Sequence, residues 1–213
     1  MLVTSLPALP SRYDAGRLPI SLLKLRDRLR LLVEEDWKIV ESLSEFFVWD
    51  RQPLDRTDQK VWQAFQQLRR ATTNTLAREV IDYRIDMRTV VAGLRRKRFN
   101  EGPMDGFGDL ATWIRRHWSQ PYFELSKRYP WIVPFSDAVE SGKLLDAQRV
   151  LFDDLWTKWT RLSQQFQFTL ESIVLYLARW EIVERWTSLD ATEGRRRFDF
   201  MLADTMGEYA NLF

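Results

Sequence analysis

The sequence contains no cysteine and a single histidine, His117. The first absence excludes a disulfide framework, thiolate catalysis and any Cys-ligated zinc or iron–sulfur centre. The second leaves no set of imidazoles from which a histidine metal site or an Asp–His relay could be assembled. Long apolar runs are missing too. The longest is the six residues Ile173 to Ala178, against the ~20 that a bilayer-crossing helix requires. Nor is there an excess of one charge, since 32 Lys and Arg face 30 Asp and Glu for a net +2. A dedicated nucleic-acid binder carries a marked basic surplus. The first ten residues have neither a basic start nor a sustained apolar stretch, so they make a poor signal peptide. The expected location is the cytoplasm.

What the chain does hold is apolar and aromatic. Over 213 residues the hydrophobic share is 45% and the charged share 29%, with 10 Trp and 13 Phe. That composition belongs to a folded globular chain with a substantial core.

The apolar residues recur at helical spacing almost throughout. Ser21 reads as an N-cap ahead of Leu22, Leu25, Leu29, Leu32 and Val33. Glu34, Glu35 and Asp36 form the acidic first turn of a second helix bearing Trp37, Val40, Leu43 and Phe47, which Arg51 to Leu54 breaks. A third begins near Asp58, and a fourth runs from about Thr75 to Lys97. Asp109 to Trp118 is a short helix, and Pro121, Pro130 and Pro134 punctuate short pieces after it. One helix carries Leu145 to Trp159. Another, from about Phe166 to Leu189, is apolar nearly all round at its centre and is therefore the expected core helix. A last helix is expected over 192–209. Residues 2–5 are the only stretch that reads as a short strand.

The expected fold is all-α and multi-helix, a single helical domain over 1–213. The segment 101–108 holds three of the eight glycines. It is the natural hinge between sub-lobes 1–100 and 109–213.

Candidate chemistry is sparse. His117 has no partner at metal-ligand spacing. The carboxylate pairs Asp82/Asp86, Asp153/Asp154 and Glu181/Glu184 sit at helical neighbour spacing, where ion-paired or solvated faces are the ordinary explanation. Gly102 to Gly108 lacks a Gly-Lys-Ser/Thr and a preceding strand, so it is a turn and not a phosphate loop. No catalytic residue, cofactor or metal is expected. Two basic runs, 95–98 and 195–197, lie near helix ends. They complement helix dipoles there, or they meet RNA phosphates or a phosphate-rich membrane surface. Trp156, Trp159, Trp180 and Trp186 fall in dense apolar periodicity and belong to the core. Trp49, Trp113, Trp118 and Trp131 lie near element ends and loops; they suit a partner surface better than the first four do, with packing the ordinary outcome for them too.

A family resemblance adds to this. Leu2-Val3-Thr4-Ser5-Leu6-Pro7 is followed by Leu18-Pro19-Ile20-Ser21 and an amphipathic helix running to Glu35 and Asp36. Together with Val174 to Trp186, Leu189-Asp190 and Gly194-Arg195, these residues resemble an uncharacterised bacterial family whose genes accompany V-type ATPase operons. Ile85 to Arg98, and Phe166 to Glu181, are similar to helices of the C (or d) subunit of V/A-type rotary ATPases, the all-helical socket between central stalk and membrane ring. This sequence has Met87 where that subunit has Asn, and it is shorter than the three-lobed subunit. The resemblance implies a non-catalytic subunit or assembly factor, peripheral to the membrane through the ATPase complex. Its implied partners are stalk or membrane-ring subunits, and it would take no small-molecule substrate. The contact residues proposed for it are Arg95, Arg96, Arg98, Trp113 and Trp118. The competing expectation is a helical nucleic-acid-binding module using the two basic runs.

Overall fold

The computed structural model describes residues 2–14, 18–49, 58–103 and 108–188. The Arg51 to Leu54 breaker, the centre of the 101–108 segment, the expected helix over 192–209 and the basic run 195–197 lie outside the described residues. Among those described, the fold is all-α with no strand. The helices are α1 (Leu2–Ser5), α2 (Leu22–Leu29), α3 (Glu34–Trp49), α4 (Asp58–Ala71), α5 (Thr75–Arg98), α6 (Asp109–Arg116), α7 (Ile132–Glu140), α8 (Leu144–Ser163) and α9 (Leu170–Ser188). A tight 3-10 turn, Pro121–Glu124, precedes α7.

The capping chemistry accounts for several boundaries. The Ser21 hydroxyl accepts from the Lys24 amide, and the Asn74 side chain accepts from the Ala77 amide. Each satisfies one of the amides that a helix start leaves unpaired. Residues 2–5 correct the strand expectation. They form one helical turn, closed by the Leu6 amide on the Val3 carbonyl at 3.3 Å. A lone strand would have no neighbour to take its backbone groups, whereas a turn satisfies them locally. Val33 also departs from its reading: α2 stops at Leu29, and Val33 is left exposed between helices.

Helix α8 packs between α7 and α9, while α9 also lies against α3 and α5. As the periodicity predicts, α9 is the helix buried most nearly all round, with Ile173, Val174, Leu175, Leu177, Ala178, Ile182 and Val183 in the core. Each large apolar side chain buried this way contributes roughly 1.5–3 kcal/mol. One contiguous core draws on residues from Tyr13 to Val183, on both sides of the 101–108 segment.

The irregular N-terminal segment is stitched to this body by the polar tips of core aromatics. Tyr13 is buried and donates to Asp153 at 2.9 Å, with its ring edge-on to Phe152, Trp156 and Trp186. Trp156 Nε1 donates to the Ser11 carbonyl, Tyr176 to the Pro7 carbonyl and Trp180 Nε1 to the Ile20 carbonyl. Trp156, Trp159 and Trp180 are core residues, and Trp186 is half-buried against them. Of the tryptophans near element ends, Trp131 takes the packed alternative and is buried at 3% exposure. It follows Pro130, but α7 folds its ring inward against Phe135 and Tyr129.

Candidate docking site

The basic run closes α5, and its four cations are held differently. Arg96 Nε donates to the Gly102 carbonyl at 2.9 Å, and its guanidinium lies 3.5 Å from Glu101. Arg98 donates to the Val139 carbonyl near the end of α7. Lys97 Nζ donates to the carbonyls of Trp118 and Gln120 at 2.8 and 2.7 Å and sits 5.2 Å from the Phe123 ring. Burial of this ammonium pushes its pKa down. Arg95 is exposed and makes no ion pair or side-chain hydrogen bond with any described residue.

Lys97 anchors the turn at Pro121–Glu124, whose backbone is unusual. Tyr122, Phe123 and Glu124 have φ of 50°, 56° and 60°, three successive left-handed residues with no glycine among them. Each costs about 1–2 kcal/mol relative to its mirror conformation. The turn is pinned on several sides. Phe123 is fully buried, and its ring lies so close to α5 that a Cβ on Gly93 would sit 3.2 Å from it. Trp113 Nε1 donates to the Phe123 carbonyl at 2.9 Å.

The two remaining predicted contact residues lie on or beside this turn. Trp113 is 43% exposed and stacks on His117 at 4.1 Å between ring centroids. His117 Nδ1 lies 2.9 Å from the Trp113 carbonyl, and Nε2 lies 3.6 Å from Glu124. Trp118 is half-buried, with its ring stacked on Phe123. Among the described residues, no three His, Asp or Glu side chains converge as a metal site.

Two grooves flank α5. The larger, about 1010 Å³, opens between α4, α5 and α6. Trp62, Phe65, Ile85 and Trp113 supply its apolar surface. Some of its charges are matched, with Arg69 on Asp82 at 2.9 Å and Arg128 3.8 Å from Asp86, while Arg70, Arg78 and Asp109 also line it. Gly108 sits at its edge with φ +91°, and a Cβ there would fall 2.7 Å from the Trp62 ring. The smaller groove, about 490 Å³, lies between the end of α5, the left-handed turn and α7. Arg95, Lys97 and Arg98 line it together with Tyr122, Phe135 and Ser136.

Members of each carboxylate pair of the sequence are engaged with neighbouring side chains. Tyr129 donates to Asp86 at 2.7 Å, Tyr83 to Asp154 at 2.6 Å and Tyr13 to Asp153. Burial pushes the Asp86 and Asp154 carboxyls above their usual range and pushes Tyr83 and Tyr129 well up. Glu181 is fully buried and bonded to Arg84 at 2.7 Å. Periodicity gave no sign of that pair, because each residue occupies an inward position that normally takes an apolar side chain. Lys97 as an anchor, the left-handed turn and the buried Ser136 were also missed. Pro121 was the only punctuation available, and no Gly or Asn marked the positive φ values.

The class defined here is an all-α, multi-helix protein with two open grooves beside one long helix, and no described helix is long and apolar enough to cross a membrane. Compared with models of protein families, with curated proteins and with solved structures, the chain matches none.

Proposed function

We propose that this chain works by docking, as a non-catalytic subunit or assembly factor of a bacterial V/A-type rotary ATPase. The observation that carries the docking half is the larger groove. It is open, about 1010 Å³, and walled by helices, with the partly exposed Trp113 on its lining. Aromatic anchors of this kind dominate protein–protein contacts, and the charged side chains around it supply a polar border. The ATPase half rests on the sequence resemblance of residues 2–7, 18–21, 174–186, 189–190 and 194–195 to the operon-associated family, and of residues 85–98 and 166–181 to the stalk subunit. The partners are then stalk or membrane-ring subunits, with Trp113 and Trp118 beside one contact and Arg95, Arg96 and Arg98 beside another. Membrane contact would be indirect, through the complex, on the cytoplasmic side.

The test is reconstitution. The purified chain is mixed with individual central-stalk and ring subunits of a bacterial V/A-type ATPase and run by size exclusion. Co-elution with one of them is expected, weakened by Trp113→Ala. Elution alone against every subunit would remove the ATPase reading.

Nucleic-acid binding through 95–98 takes second place on a specific observation. A polymer demands cations spread along a surface to meet successive phosphates. Here Arg95, Lys97 and Arg98 converge on one concave groove.

A further inference from the structure

The smaller groove, which holds Arg95 and Arg98 of the second docking contact, has a composition that also suits a small ligand. We propose that it binds a small amphiphilic phosphate: a phosphomonoester with an aromatic or aliphatic body, its head among Arg95, Lys97 and Arg98 and its body against Tyr122, Phe135 and Val139. This site goes beyond the docking reading and stands or falls separately from it.

Four observations carry the assignment. The groove's volume of about 490 Å³ lies within the roughly 300–1,000 Å³ typical of small-ligand sites. Its charge is one-sided, with three cations against the single carboxylate of Glu140. Arg95 is uncommitted among the described residues, while Arg98 and Lys97 are already oriented by the carbonyls they bond. Cations held in place in advance lose little freedom when an anion arrives.

The third observation is Ser136. It is only 7% exposed, it lines the groove, and its Oγ has no hydrogen-bond partner among the described residues. A helical serine ordinarily returns its hydroxyl to the carbonyl four residues earlier; this one does not. A buried hydroxyl left unpaired is costly, and a rotation of this side chain toward the groove it lines would let a phosphate oxygen satisfy it. The fourth is the left-handed turn. Tyr122 forms part of the groove wall in a backbone conformation that non-glycine residues avoid, and strain of this kind gathers at ligand sites.

The head is assigned as phosphate and not carboxylate because three cations and a hydroxyl surround it. The deciding quantity is charge: a phosphomonoester dianion neutralises more of this one-sided cluster than a singly charged carboxylate does, and each cation can then make a charge-assisted bond. Such a head could belong to a soluble phosphomonoester or to a lipid.

The experiment uses the full chain. Calorimetric titration compares phenyl phosphate, inorganic phosphate and phenol, and sedimentation follows binding to phosphatidylcholine vesicles with and without phosphatidic acid. Phenyl phosphate is expected to bind at least roughly tenfold more tightly than either fragment, since both halves of the site contribute. Arg95→Ala should weaken it about tenfold at unchanged helicity. Ser136→Ala should raise the melting temperature, by removing an unpaired buried hydroxyl, and yet weaken phenyl phosphate several-fold. A purely structural serine would not move both readouts in those directions. Vesicle binding that phenyl phosphate displaces assigns the ligand to a lipid headgroup. Phenyl phosphate binding with no vesicle binding assigns it to a soluble molecule. Either supports the site. No phenyl phosphate binding at millimolar concentration, or binding indifferent to both Arg95→Ala and Ser136→Ala, overturns it.

Discussion

Arg84 and Glu181 meet at 2.7 Å in the interior, with side chains only 4% and 2% exposed, and thereby join α5 to α9. The Arg84 guanidinium also faces the Phe47 ring at 5.1 Å, so α3 shares the same junction. Arg185 approaches the other side of the carboxylate at 3.5 Å.

Breaking this pair should be far worse than replacing it. Arg84→Met or Glu181→Leu alone leaves a buried charge without its main partner, at an expected cost of about 3–5 kcal/mol. The double variant should recover most of that loss, because two apolar side chains can fill the space without desolvating ions. Urea unfolding of the four proteins checks this, and single variants within 1 kcal/mol of the parent, roughly the worth of an exposed ion pair, would contradict it.

The tyrosine–aspartate bonds predict a weakness at high pH. Tyr13, Tyr83 and Tyr129 have pKa values raised in the fold, first by burial and then by the carboxylates they bond. Their stabilising contribution is complete below the unfolded-state value of about 10 and is lost as pH rises through the folded values. Tyrosinate absorbance should therefore rise in two steps, with the second coinciding with loss of helical circular dichroism. A single smooth titration with the helices intact would refute it.

On the acid side, Asp86 and Asp154 are raised as well, with burial the leading cause. The native state therefore holds these protons more tightly than the unfolded chain does. Their contribution to stability is largest below the unfolded carboxylate pKa and declines as pH rises through the folded values. Asp86→Asn and Asp154→Asn should each flatten that decline relative to the parent, as read from urea midpoints between about pH 3.5 and 6. Unchanged slopes in both variants would count against burial as the cause.

Gly108 and Trp62 give a test of how α4 is seated. Gly108→Ala forces a Cβ into a positive-φ position and against the Trp62 ring, at an expected cost of about 1–3 kcal/mol. Trp62→Ala removes the steric share of that cost but not the backbone share. The double variant should thus lose less than the sum of the two singles. Strict additivity would mean that the ring yields freely.

Most of the helical framework was legible because the cues were local. Ser21 caps α2 as read, the acidic triplet 34–36 opens α3, and Asp58, Thr75 and Asp109 each begin a helix. The failures share a different cause. Whether Glu181 finds Arg84 and whether residues 2–5 find a strand partner both depend on residues distant in sequence. For the site, the cluster at Arg95, Arg96 and Arg98 was visible as a charge run. The groove was not, because its other wall comes from α7, and Ser136 has no sequence pattern that distinguishes it from any helical serine.

The aromatic hydrogen bonds to the N-terminal segment also determine the order in which the chain can assemble. Tyr13 waits for Asp153, 140 residues on, the Ile20 carbonyl waits for Trp180, 160 residues on, and the Pro7 carbonyl waits for Tyr176, 169 residues on. Contacts of such separation close slowly. On a ribosome, these residues are therefore made well before they can reach their places, which they do only once α8 and α9 have emerged.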